Sequence, residues 1–200
     1  MTRFRSLAVA ASGGFVTGAI AMAVLQPRFV LHGNAETARS PAAADLPATL
    51  QGDPVEDLRQ RHLLLPVEGM TRAALHDSFD ELRSGGVRHE AIDILAPRNT
   101  PILAVEGGTV AKLFHSEAGG ITVYQFDPTN TYAYYYAHLE RYAAGLANGD
   151  QVTRGQVLGF VGTSGNAPKD TPHLHFAIFK LTSAKQWWHG SPINPYAVFK

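Results

Sequence analysis

The sequence predicts a mainly β protein: an antiparallel β-sheet domain over residues 63–200, preceded by an N-terminal membrane helix and a flexible linker. Three observations predict it. After Leu63 the chain breaks into short apolar runs punctuated by Gly, Pro, Asn and Asp, the pattern of antiparallel strands joined by tight turns. Within residues 132–138, Tyr132, Tyr134 and Tyr136 alternate with Ala133, Tyr135 and Ala137, so Tyr134, Tyr136 and His138 are expected on one strand face. Ahead of both lies an uncharged apolar stretch, residues 7–25, long enough to cross a bilayer.

Taken in order, Arg3 and Arg5 precede that stretch of 19 residues, rich in Ala, Val, Leu and Gly, and Arg28 follows it. As a helix it would span about 28 Å, close to the hydrocarbon thickness of a bilayer. Residues 1–27 are therefore expected to be a transmembrane anchor, the alternative being a signal sequence cut near Ala21-Met22-Ala23. Either way the domain is exported. Residues 28–62, rich in Ala, Pro and charged residues, read as a tether with one short helix around 55–61 and a typical reach of roughly 30 Å.

In the β domain, strands are expected at 102–105, 108–114, 121–126, 132–138, 157–161 and 173–179. Another short one runs through Ile92, Ile94 and Leu95 to a turn at Ala96-Pro97. Asn148-Gly149-Asp150 and Arg154-Gly155 mark turns, residues 139–147 a helical turn or loop, and residues 164–171 a loop rimming a site. Trp187, Trp188 and residues 192–196 are expected to cap the β core.

Composition narrows the function. A chain of 200 residues with 45% hydrophobic content holds about one domain beyond its leader. With 17 basic and 17 acidic residues, nothing selects nucleic acid or a strongly anionic partner. The absence of Cys excludes disulfides, a cysteine nucleophile, a thiolate metal site and lipoprotein acylation. Nothing in the sequence selects an oligomeric state.

The chemistry concentrates in three pieces: His89-Glu90-Ala91-Ile92-Asp93, Tyr136-Ala137-His138-Leu139, and Pro172-His173-Leu174-His175-Phe176. His is the commonest zinc ligand, a carboxylate is the usual third ligand of a catalytic site, and such a site keeps one position open. Five candidates exceed what one ion needs, which leaves some free for acid–base work. His173 and His175 are two apart in a β-compatible run and share a face; His89 and Asp93, four apart, can share one as well. Glu90 would point to the opposite face, which argues against it as a base. His32, His62, His76, His115 and His189 have no such company and read as ordinary surface or core groups.

These motifs and the text between them resemble the M23 metallopeptidases, the LytM/lysostaphin-type peptidoglycan endopeptidases, from about residue 65 to 199. The family pattern runs His-x-Gly-x-Asp, Tyr-x-His-Leu, His-Leu-His-Phe. Further matching segments are Asp93-Ile94-Leu95-Ala96-Pro97, Gly107-Gly108-Thr109-Val110, Gly155-Gln156-Val157-Leu158-Gly159 and Gly162-Thr163-Ser164-Gly165-Asn166. The resemblance implies a LytM-type, duplicated-hybrid-motif-like domain that holds one zinc ion on His89, Asp93 and His175, with His138 and His173 as catalytic histidines. It implies a peptidoglycan peptide as substrate. Combined with the N-terminal stretch, it implies a single-pass bacterial inner-membrane protein with its domain on the periplasmic, cell-wall side, or a secreted form after cleavage. The alternative within the family is a non-catalytic LytM domain that activates a cell wall amidase; such relatives typically lack ligands, and all five positions are filled here. Arg83 lies near an arginine of many relatives. Ala91 stands where the family usually has glycine, which matters if the backbone there needs a glycine-only conformation. Ala177 stands where an acidic residue often orients a ligand.

Overall fold

Nine short strands form one antiparallel sheet in the computed structural model, which describes residues 52–200. The expected membrane segment, residues 1–27, and most of the expected linker lie outside the described residues. No helix among the described residues is long and apolar enough to cross a membrane.

The strands are β1 Ile92–Leu95, β2 Pro101–Leu103, β3 Gly108–Ser116, β4 Gly120–Phe126, β5 Tyr132–Tyr142, β6 Gln151–Val152, β7 Val157–Val161, β8 His173–Leu181 and β9 Gly190–Ile193. Their main order is β1-β8-β5-β4-β3-β6, with β7 joining β2 to β5 and β9 on β8. Alternation sorts the two faces of the centre. Ile92 and Ile94 of β1, Leu174, Phe176 and Ile178 of β8, and Tyr134 and Tyr136 of β5 all turn into one buried core. The intervening Asp93, His173, His175 and Tyr135 are left for the other face. Tyr136 enters the core with its hydroxyl satisfied: it donates to Gln125 Oε1 at 2.9 Å and accepts from the Val105 amide at 3.2 Å.

His138 does not share the face of Tyr134 and Tyr136 as simple alternation predicts. Val123 pairs with Tyr136 but Ile121 pairs with Leu139, so β5 carries one extra residue there, a β-bulge. His138 takes φ +63° in the bulge, and its amide bonds to the Gly119 carbonyl at 2.9 Å. That turn of the backbone re-aims its ring from the core side to the other face.

The short helix expected near residues 55–61 is α1, Pro54–Gln60. Asp53 caps it by accepting from the Val55 amide at 2.9 Å, with Pro54 in the first turn. It is no tether. Leu58 is fully buried in the sheet's core, and Arg59 Nε donates to the Ala197 carbonyl at 2.9 Å. Just beyond it, Arg61 pairs with Asp57, Glu106 and the buried Asp127 at 3.0–3.3 Å and lies over the Tyr132 ring. The packed unit therefore includes this helix, ahead of the boundary expected at Leu63. At the other end Asn194 caps α2, Pro195–Phe199, whose Pro195, Val198 and Phe199 close the core. Trp187 and Trp188 do not cap it as expected. Trp188 is 59% exposed, and Trp187 packs on Tyr124 and Phe114.

Candidate metal centre and its cleft

Register brings the site together. Asp93 of β1 pairs directly with His175 of β8, and His175 pairs with Ala137 of β5, so the three strands present one continuous outer face. His89 reaches the same place from outside the strand. Glu90 takes φ +54° between His89 and Ile92, while the His89 and Glu90 amides bond to the carbonyls of Glu81 and Phe79, both at 2.9 Å. The two members of the His-x-x-x-Asp pair are thus joined by a turn rather than by one strand face. Ala91 is fully buried and is not among the residues with a left-handed φ, so no glycine-only conformation is needed there.

Three ligand atoms converge. His89 Nε2 lies 3.0 Å from His175 Nδ1 and 3.1 Å from Asp93 Oδ1, and His175 Nδ1 lies 3.2 Å from the same oxygen. Donor atoms around one tetrahedral ion at 2.0–2.2 Å stand roughly 3.3–3.6 Å apart, so the triangle is close to the size a metal needs. The supporting contacts fit as well. His89 Nδ1 donates to the Ser78 carbonyl at 3.0 Å, which turns Nε2 toward the other two ligand atoms, and Arg83 Nη2 donates to the outer Asp93 Oδ2 at 2.5 Å. Burial alone would raise the Asp93 pKa, but hydrogen bonds and charge from His175 and His89 outweigh it and hold the carboxyl well below the usual carboxylate range. Burial pushes the His175 pKa down, and the neighbouring His89 and His173 add to that against Asp93. Asp93 is thus held as the carboxylate and His175 favoured as the neutral imidazole, the protonation states in which these side chains bind metals.

His138 and His173 face this group from the bulge of β5 and the start of β8, their rings 4.9 Å apart. Each commits Nδ1 to a backbone carbonyl, His138 to Ser164 and His173 to Thr171, both at 2.9 Å. A carbonyl only accepts, so Nδ1 carries a proton in each ring and Nε2 is the nitrogen left to face the cleft. His173 Nε2 lies 3.9 Å from Asp93 Oδ1. Burial pushes the His138 pKa down to about 4, helped by His175 and His173 and opposed by the Ser164 bond and Asp93, so the ring is neutral at pH 7.

All five of these side chains line one cleft of about 670 Å³, with Arg83, Leu95, Tyr135 and the 166–168 loop around them. Glu90 does not line it. His76 pairs with Glu81 away from it, and His32 lies outside the described residues. Ser78 is the residue beside the cleft that sequence reasoning missed; Ser164 and Thr171 bound the loop expected to rim the site, but their part as partners of the histidine rings was not expected. Although the Ser164 hydroxyl also joins Leu139 to Ile121 and the Ser78 hydroxyl accepts from the Asp93 amide, all three hold the histidine rings through backbone carbonyls, which every residue type possesses, so for that role their identities carry no signal. The Gly165 beside Ser164 does: at φ +70° its Cα sits where a Cβ would come within 2.4 Å of the Gly120 amide and 2.3 Å of the Ala118 carbonyl.

The peptidase family M23 profile matches residues 87–195, more than half of the chain. The chain is 33% identical over 138 residues to the L-Ala--D-Glu endopeptidase of Bacillus subtilis, which covers 66% of this chain and 41% of that protein. It is 36% identical over 88 residues to the peptidoglycan DD-endopeptidase ShyC of Vibrio cholerae, covering 44% of this chain and 19% of that one. The chain thus spans less than half the length of these curated relatives. The catalytic domain of lysostaphin from Staphylococcus simulans superposes with a TM-score of 0.53 over 62% of this chain and 90% of that domain, at 23% identity, a likeness of fold.

Proposed function

From the premise that this chain belongs to peptidase family M23, we propose that it is a zinc-dependent endopeptidase that hydrolyses peptide cross-links of bacterial peptidoglycan. The observation that carries the proposal is the convergence of His89, Asp93 and His175 at 3.0–3.2 Å beside two further histidines in one cleft. His89 Nε2, His175 Nδ1 and Asp93 Oδ1 would hold the ion, with Arg83 on the free carboxylate oxygen. A zinc ion held there supplies Lewis acidity, polarising the scissile carbonyl and acidifying water to a pKa of about 7.

The other steps belong to the chain's own groups. His138 and His173, both fixed at Nδ1, present Nε2 to the cleft; between them they take the proton of the attacking water and return one to the leaving amine. Once protonated, such a ring also donates to the tetrahedral oxyanion. Their carbonyl partners keep both rings from turning and fix the tautomer that can accept. An amidase activator would need none of these five groups to converge, so the hydrolase reading is preferred. Residues 7–25 support placing the domain outside the cytoplasmic membrane, anchored or released by cleavage.

The test is digestion of purified peptidoglycan by the full chain, with zinc and after chelation, with released fragments read by mass spectrometry. Zinc-dependent loss of one defined peptide cross-link is expected. A protein that binds zinc and releases no fragment would transfer the role to the activator reading.

A further inference from the structure

The outer sheet face does not end at the cleft. Tyr135, which lines the cleft, meets the His175 ring edge-on at 5.9 Å. Tyr124 sits directly opposite Tyr135 in register, its ring 4.5 Å away. Trp187 follows at 4.8 Å from Tyr124 and 5.2 Å from Phe114, and Trp188 lies 5.0 Å from Trp187. Five aromatic rings thus run outward from the centre, three from β5, β4 and β3 and two from the loop between β8 and β9.

This row is not core. It lies on the face opposite Tyr134, Tyr136 and Phe176, and its outer members are open, Trp188 at 59% and Phe114 at 39% exposure. A contiguous exposed aromatic patch beside a cleft marks a binding surface. Among the described residues the cation–π contacts are Arg61 over Tyr132 and Arg141 over Phe160, neither of them on the row. Lys112 stands opposite Tyr124 in register, and the row itself offers π faces with phenol and indole groups at their edges. A pyranose matches that chemistry, with an apolar C–H face to stack and polar groups at its rim.

Distance fits too. The ring-to-ring steps of 5.9, 4.5 and 4.8 Å put Trp187 no farther than about 15 Å from His175. Four extended residues span roughly 13–14 Å. A short peptide with its scissile bond at the centre therefore delivers the sugar that bears it to the row.

We propose that Phe114, Tyr124, Trp187 and Trp188 form a sugar subsite, which stacks an N-acetylhexosamine of the glycan strand carrying the peptide in the cleft; this rests on the peptidoglycan reading above. The subsite lets the enzyme distinguish peptide attached to glycan from free peptide. It also orients the strand across the sheet, with the glycan on the β3 side of the centre.

The chain has 2 tryptophans, both in the row, so tryptophan emission reports on this surface alone. The experiment titrates the full chain with a tetramer of N-acetylglucosamine and follows that emission. A saturable change is expected, with affinity about three- to tenfold weaker in Trp188→Ala and restored in Trp188→Phe. The same variants are then assayed on a cross-linked peptide with and without its sugars, and Trp188→Ala is expected to lower the preference for the sugar-bearing form by a similar factor. No saturable change, or equal binding by a Trp188→Ala protein with a normal unfolding transition, overturns the subsite. A chain that cleaves peptide without binding the tetramer refutes the subsite alone. A chain that binds the tetramer in a Trp188-dependent way but cleaves neither peptide refutes the peptidase reading and leaves the sugar site standing.

Discussion

Replacing Gly165 with alanine tests how the cleft is positioned. Gly165 has φ +70°, a region that costs a residue with a side chain roughly 1–2 kcal/mol. Its new methyl would also stand 2.3 Å from the Ala118 carbonyl oxygen and 2.4 Å from the Gly120 amide, backbone atoms that cannot rotate away. Overpacking of that kind typically adds about 1–3 kcal/mol, for a total near 3 kcal/mol. For a domain of this size the Tm should fall by roughly 6–12 °C. The relief of the clash moves Ser164, whose carbonyl holds His138 Nδ1 at 2.9 Å and whose hydroxyl joins the Leu139 carbonyl at 2.6 Å to the Ile121 amide at 2.9 Å. A misplacement of about 1 Å at a catalytic group can cost on the order of a hundredfold, so kcat should drop accordingly. Gly149→Ala is the control: φ +89°, with nothing within 4 Å of the added methyl. It should lower Tm by the backbone cost alone and leave kcat unchanged. Calorimetry and peptidoglycan turnover on both variants decide the matter. Equal Tm losses with full kcat in Gly165→Ala would refute the idea that this contact positions His138.

Three other outcomes follow from particular contacts. Arg83→Lys keeps a charge but not the planar guanidinium whose Nη2 meets Asp93 Oδ2 at 2.5 Å while Nη1 lies 3.8 Å from Glu81, so zinc affinity by chelator competition should weaken by about tenfold; an unchanged affinity would reduce Arg83 to a surface ion pair. Tyr136→Phe removes the partner of Gln125 Oε1 and of the Val105 amide in the core, and chemical denaturation should show a loss of about 1–3 kcal/mol with the metal site intact. Burial alone would raise the Asp127 pKa, but hydrogen bonds from Thr129, Tyr132 and Arg61 outweigh it and hold the carboxyl below its ordinary value. Because the folded pKa is the lower one, the stabilisation is present above the unfolded value of about 3.9 and disappears as pH falls below it. Tm measured from pH 7 to pH 3 should therefore fall less in Asp127→Asn than in the parent protein, and parallel curves would contradict this.

The sequence made the long strands legible because each is an apolar run closed by glycine, proline or asparagine, as at Gly108–Ser116 and Val157–Val161. Gln151–Val152 and Gly190–Ile193 were not, being too short or too polar to show a period. The five polar residues that line the cleft were legible as motifs; their arrangement was less so. His138 reaches the cleft through a bulge, and His89 through a turn at Glu90, two left-handed backbones at residues whose types do not announce them. The docking of α1 turns on Leu58 finding the core and Arg61 finding Asp127, long-range contacts that no local pattern contains. Trp187 and Trp188 look like core in composition and lie outside because the inner face is already filled by Tyr134, Tyr136 and Phe176.

The division of the five side chains into three that hold metal and two that move protons is tested most directly by zinc content in single alanine variants of each, measured on folded full-length protein alongside turnover. The account predicts one zinc per chain in the parent, loss of zinc in His89→Ala, Asp93→Ala and His175→Ala, and retained zinc with lost turnover in His138→Ala and His173→Ala. Zinc retained in His175→Ala, or lost in His138→Ala, would contradict it.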